Sequence, residues 1–127
     1  MTVGPVQRDE ATAAFFDGTA RGEFLLRRCP DCGTFLSPQA EQCPEGGTDL
    51  EWVPASGLGR VVTWSVVHGR GVFPTVVAAV VELDEGPWWW TQVTGPGLPD
   101  DLAGLRVRVD FARYEDNEAV PVFRPMD

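Results

Sequence analysis

The runs Cys29-Pro30-Asp31-Cys32-Gly33 and Cys43-Pro44-Glu45-Gly46-Gly47 carry all three cysteines of the chain. Two thiolates spaced C-x2-C, on a turn relaxed by glycine, converge on one tetrahedral ion. The second run has the outline of a matching knuckle, but Gly46 stands where a fourth cysteine belongs. A structural zinc site wants four protein ligands, and three thiolates are all that the chain supplies. Three courses stay open. A carboxylate (Glu41, Glu45 or Asp49) or a water completes the site; or the ribbon has lost its metal and keeps its shape by packing; or the C-x2-C pair does redox work. The last is the weakest, because no βαβ pattern surrounds the pair. A closed ribbon of this kind acts as a staple and leaves no open position for chemistry. A nucleophilic cysteine finds no base nearby, since the single histidine, His68, lies far along the chain and reads as a strand-end residue.

Two aromatic groups and one basic pair come next. Trp88-Trp89-Trp90 sits in a strand-like run, and alternate side chains of a strand point to opposite faces. Either Trp89 is inside with Trp88 and Trp90 outside, or the reverse. Outward tryptophans mark interfaces, unless another part of the same chain covers them. Phe15-Phe16 carries the same ambiguity on a helix, where one of two neighbours can face the core and the other a partner. Arg27-Arg28 could grip a phosphate through forked hydrogen bonds, although a solvated pair on an exposed strand is the favoured reading.

The elements that must position these residues fall into three zones. Residues 1–22 include a short helix over 9–20, with early acids, alanines and a closing Gly18 or Gly22. Residues 23–56 hold a strand-like EFLLRR, the cysteines and LEWV, in the manner of a ribbon. Residues 57–127 are strand after strand: Gly59–His68, Thr75–Leu83, Trp88–Thr94, Leu105–Tyr114 and Ala119–Phe123, rich in Val, Thr, Trp and Phe. Leu105, Val107, Val109 and Phe111 alternate with Arg106, Arg108 and Asp110, the pattern of a half-buried strand. Asp84-Glu85-Gly86-Pro87 is turn chemistry and predicts a hairpin. Gly95 to Leu102 is a longer connection with room for one helical turn. The predicted fold is mainly β: a short N-terminal helix, a cysteine ribbon and a five-stranded barrel of the OB type.

Composition agrees with one globular unit. The 127 residues are 43% hydrophobic, enough for a core, while 14 Gly and 11 Pro favour turns and short strands. The net charge is -9, and all ten basic residues are arginine. Within 57–124 six arginines face nine acids, the wrong sign for a nucleic-acid groove even with aromatics available for stacking. The N-terminal MTVGPVQRDE is polar, and the longest apolar run, Val76 to Val81, is too short to cross a bilayer. A cytoplasmic protein without a membrane segment is expected, with its thiols reduced or on metal.

The order of these features resembles one family. Phe15-Phe16, Gly22-x2-Leu25, Arg28-Cys29-x2-Cys32-Gly33, Pro38 and Cys43-Pro44 come first. Glu51-Trp52, Ser56-Gly57-x-Gly59, Val61 and Thr63 continue the pattern. Pro74-x2-Val77-Ala78-x-Val80-x-Leu83-x-Glu85-Gly86, Gly104-x2-Val107-x-Val109-x-Phe111 and Pro121-x-Phe123 close it. The chain is similar, over residues 12 to 125, to the "domain of unknown function thirty-five" family of OB-fold proteins with a rubredoxin-like zinc ribbon. The resemblance implies a non-catalytic accessory subunit that completes a thiolase-like enzyme acting on acyl-CoA thioesters, in lipid or steroid side-chain breakdown. It carries over Cys29, Cys32 and Cys43 as metal residues; Gly46 departs from the pattern. Phe15, Phe16, Trp88, Trp89 and Trp90 are the expected partner-binding residues, and Arg27 and Arg28 the weaker acyl-CoA phosphate contacts. Two other readings compete: a stand-alone acyl-CoA-binding module and, with less support, a single-stranded nucleic-acid-binding OB domain.

Overall fold

The computed structural model describes residues 8–126 except 11, 45, 73–74, 96–97 and 114–116. The one helix among the described residues, α1 (Ala13–Ala20), begins later than the expected residue 9. Asp9 and Thr12 are the reason: the Thr12 N–H donates to Asp9 Oδ1 (3.0 Å) and the Asp9 N–H to Thr12 Oγ1 (2.9 Å), closing a turn ahead of the helix. Gly18 lies inside the helix rather than ending it. A Cβ there would stand 2.6 Å from the Leu25 side chain, so the missing side chain lets the next strand pack close.

That strand, β1 (Leu25–Arg28), is the centre of a small antiparallel sheet in the order β2-β1-β3, with β2 (Phe35–Leu36) and β3 (Glu51–Pro54) at its edges. The cysteines sit on the connections of this sheet. Beyond it a closed barrel is formed by β4 (Leu58–Val67), β5 (Val76–Leu83), β6 (Trp88–Val93), β7 (Arg106–Arg113) and β8 (Ala119–Pro125). Its order is β4-β5-β6-β8-β7, antiparallel everywhere except the β6–β8 seam, where Val93 lies beside Phe123. Five strands closed in this order form an OB-type barrel. The turn at 84–87 makes the β5–β6 hairpin, with the Gly86 N–H on the Leu83 carbonyl and the Leu83 N–H on that of Pro87.

On β7, Val107 is fully buried while Arg106 and Arg108 are exposed, as the alternation requires. The helical turn expected between Gly95 and Leu102 is absent from the described residues 95 and 98–102. Leu102 is buried in the core, and the chain turns just after it at Ala103 and Gly104. Phe15 and Phe16 of α1 and Phe24 and Leu26 of the ribbon join Val61, Val81, Val107 and Phe123 of the barrel in one apolar cluster. Phe24 stands between Trp89 and Phe123, with ring centroids 5.1 and 6.1 Å away. Each such side chain contributes about 1.5–3 kcal/mol by leaving water. A second, much smaller cluster gathers Cys29, Cys43 and Leu50, with Leu36 and Ala40 against them.

Candidate functional site

Two sites emerge, one at the tip of the ribbon and one where helix, ribbon and barrel meet. At the tip, the ligand atoms of Cys29, Cys32 and Cys43 all lie within 4.8 Å of one another. Cys29 and Cys43 are buried and Cys32 is exposed, so the cluster opens to solvent on the Cys32 side. Cys32 Sγ is 3.4 Å from Cys43 Sγ and 3.2 Å from the Thr34 hydroxyl. The hydrogen bond with that hydroxyl, then the Thr34 backbone and the two neighbouring sulfurs, lowers the Cys32 thiol from its ordinary 9.0 to about 7. This donor set fits a thiophilic ion such as zinc, held by three sulfurs. It does not supply the four protein ligands of a closed structural site. Glu41 and Asp49, two of the expected carboxylate candidates, are not part of the cluster. The third, Glu45, lies outside the described residues.

The second site is a cavity of about 590 Å³ between α1, the ribbon and the outer wall of the barrel. Phe15, Phe16, Trp89, Trp90 and Arg27 all line it, so five residues singled out in the sequence come together here. Trp89 points inward, its ring 5.7 Å from that of Phe15, while Trp90 on the opposite face of β6 is 80% exposed. Trp88 is 57% exposed and donates its indole N–H to Glu82 Oε2 at 3.3 Å. Neither outer tryptophan is covered by the helix or the ribbon. The outward Phe expected on the helix is corrected: Phe15 and Phe16 are only 6% and 7% exposed. Their rings stack edge to face at 5.3 Å, and Phe15 also packs against Phe24 and Trp89.

Arg27 and Arg28 do not lie side by side as one fork. As neighbours on a strand they point to opposite faces. Arg27 crosses to β3, where its guanidinium lies 4.5 Å over the Trp52 ring and Nη2 donates to the Leu50 carbonyl at 2.8 Å. Arg28 pairs with Glu51 at 2.9 Å on the other face. Arg27 Nε is buried without a hydrogen-bond partner among the described residues, which leaves one donor beside the cavity. Trp52 and Pro38, which the sequence marked only as part of the family pattern, also line this space. The Arg27–Trp52 contact follows from strand register, which pairs those two positions directly. The two residue types alone do not give that register. His68 is exposed just after β4, with no cysteine near it in the cluster. No helix among the described residues is long and apolar enough to cross a membrane.

Comparison with known proteins places this architecture. Residues 52–112 match the model of the C-terminal OB-fold domain of ChsH2. A DUF35 domain-containing scaffold protein of Methanocaldococcus jannaschii is 34% identical over 99 residues, 71% of this chain and 68% of that protein. The chain belongs to the DUF35 family. Among solved structures, an Ltp2-ChsH2(DUF35) aldolase matches this DUF35 chain with a TM-score of 0.81 and 30% identity, over 93% of this chain and 96% of the other. A DUF35 protein of unknown function from Sulfolobus solfataricus shares the fold at a TM-score of 0.61 and 12% identity, covering 92% and 86% of the two chains. A probable enoyl-CoA hydratase alpha subunit of Thermomonospora curvata is 32% identical over 126 residues. The alignment takes in 94% of the DUF35 chain but only 38% of that relative's length.

Proposed function

We propose that this DUF35 chain is a non-catalytic subunit that docks on a thiolase-superfamily enzyme and completes it. The partner's reaction would be thiolysis, condensation or retro-aldol cleavage of an acyl-CoA, within lipid or steroid side-chain metabolism in the cytoplasm. The observation that carries this reading is the likeness over nearly the full length of both chains to the Ltp2-ChsH2(DUF35) aldolase. The scaffold description of the archaeal relative and the hydratase-subunit description of the Thermomonospora relative point the same way. Trp88 and Trp90 supply a physical surface for such docking, because large aromatic side chains left in water gain most when a partner desolvates them. The expected nucleophile or base belongs to the partner, and this chain's part is to bind and support it.

Affinity capture of the tagged chain from its native cell extract tests the proposal. A thiolase-like subunit recovered in comparable amount supports it, and recovery of the chain alone counts against it. A second reading, a stand-alone acyl-CoA-binding module, draws on the cavity of about 590 Å³ and the free donor of Arg27 beside it. Calorimetric titration of the isolated chain with acyl-CoA esters separates the two. A pure scaffold gives no heat, and saturable heat favours the binding module.

A further inference from the structure

The two knuckles of the ribbon are built on the same hydrogen-bond plan but differ in length. In the first, the Gly33 N–H donates to the Cys29 carbonyl at 2.7 Å and the Cys29 N–H to the Thr34 carbonyl at 3.0 Å. In the second, the Gly46 N–H donates to the Cys43 carbonyl and the Cys43 N–H to the Gly47 carbonyl, both at 2.8 Å. Gly33 and Gly46 are the left-handed residues of their turns, at φ 75° and 100°. Gly46 therefore does the work of Gly33, and Gly47 that of Thr34. The second knuckle is one residue shorter, and Gly46 does not occupy the place of Cys32. A Cβ built on Gly46 meets nothing within 4 Å, so a side chain there has open space around it. A Cβ on Gly47 would lie 3.3 Å from Cys29 Sγ, a tight contact that leaves little room for a side chain at that position.

We infer that the ribbon carries an open three-thiolate metal site, in which Cys29, Cys32 and Cys43 hold one thiophilic divalent ion of the zinc class and leave its fourth position to an exogenous ligand. Each thiol gives its proton to the solvent as the ion binds. Cys29 and Cys43 are buried and Cys32 is exposed, so solvent and small ligands reach the cluster from the Cys32 side. Among the described residues no carboxylate or imidazole stands close enough to fill it. A closed four-ligand ribbon is a staple; an open one exchanges its outer ligand and can take a donor from a second molecule. This inference stands on the cysteine geometry and is independent of the partner enzyme.

Cobalt(II) titration of the full reduced chain reads the site directly. One cobalt per chain is expected, with a thiolate charge-transfer band and visible bands that shift when imidazole or a small thiol is added. Cys32→Ser should lose the charge-transfer band. Gly46→Cys should leave the visible bands sensitive to added ligand, because position 46 takes the place of Gly33 and not of Cys32. Insertion of a cysteine between Glu45 and Gly46, which restores the length of the first knuckle, should strengthen the charge-transfer band and abolish that sensitivity. Absence of cobalt binding overturns the inference. So do wild-type bands that ignore added ligand, whether or not Glu45→Gln makes them respond. A Gly46→Cys variant that closes the site by itself also overturns it, by showing that the knuckles are of equal length.

Discussion

Trp90 and Phe24 show how the same kind of side chain serves two purposes in this molecule. Trp90 is outside, on the rim of the cavity, whereas Phe24 is packed on all sides between Trp89 and Phe123. Trp90→Ala is expected to change unfolding free energy by less than about 0.5 kcal/mol, because it removes little packing within the chain. The same change should weaken docking on the partner enzyme by about 2 kcal/mol or more, measured by titration of the two purified subunits. Phe24→Ala should cost about 3–5 kcal/mol in a denaturant melt, since the hole it leaves is bounded by helix, ribbon and barrel together. At this scale the sequence showed that the tryptophan triplet must split between two faces, but not which face took Trp89. That choice depends on what lies on the barrel, and Phe15 and Phe24 are brought there only by the tertiary fold.

The strands of the barrel are tied at their edges by arginine–carboxylate pairs with a common consequence for pH. Arg106 reaches Asp84 at 2.9 Å and links the start of β7 to the β5–β6 turn; Arg60 reaches Glu82 at 2.7 Å across β4 and β5. Hydrogen bonds from Arg106 hold the Asp84 carboxyl below its ordinary 3.8, and those from Arg60 and then Trp88 hold Glu82 below 4.5. Both groups are lowered in the folded state, so their contribution is complete above the ordinary carboxylate range. It is lost as pH falls through the still lower folded values. The melting midpoint should therefore decline as pH drops below about 4.5, and Arg106→Ala should flatten part of that decline in a series of circular-dichroism melts. These are exposed pairs, and the effect is modest and weakened by salt. The barrel strands were legible because Val, Thr and aromatic residues alternate between clear turns, as in Leu105 to Phe111. β2 was not, since Phe35-Leu36 is two residues long and has no period to read. The parallel seam between β6 and β8 was equally hidden, being fixed by closure of the barrel rather than by either strand's own pattern. The connection from Gly95 to Leu102 was read as having room for a helical turn, and its described residues 95 and 98–102 form none.

At the scale of the whole molecule, α1, the ribbon and the barrel share one apolar cluster, while the cysteine tip has only a small cluster of its own. The body should melt in one transition. The tip, with Leu50, Leu36 and Ala40 as its few apolar supports, should depend on the ion for order. A chelator is accordingly expected to lower the melting midpoint of the metal-loaded protein, and an unchanged midpoint would show the tip to be held by packing alone. The cavity escaped the sequence because its walls come from positions as distant as Phe15, Trp52 and Trp90. The proposed role makes this chain one part of a larger enzyme. The most direct measurement is the mass of the complex formed by the tagged protein purified from its own cells, with every subunit identified, for the wild type and for a variant carrying Trp88→Ala and Trp90→Ala. The account predicts a thiolase-like subunit in comparable amount with the wild type and its loss from the variant. A wild-type chain that elutes alone, at its own mass, would contradict it.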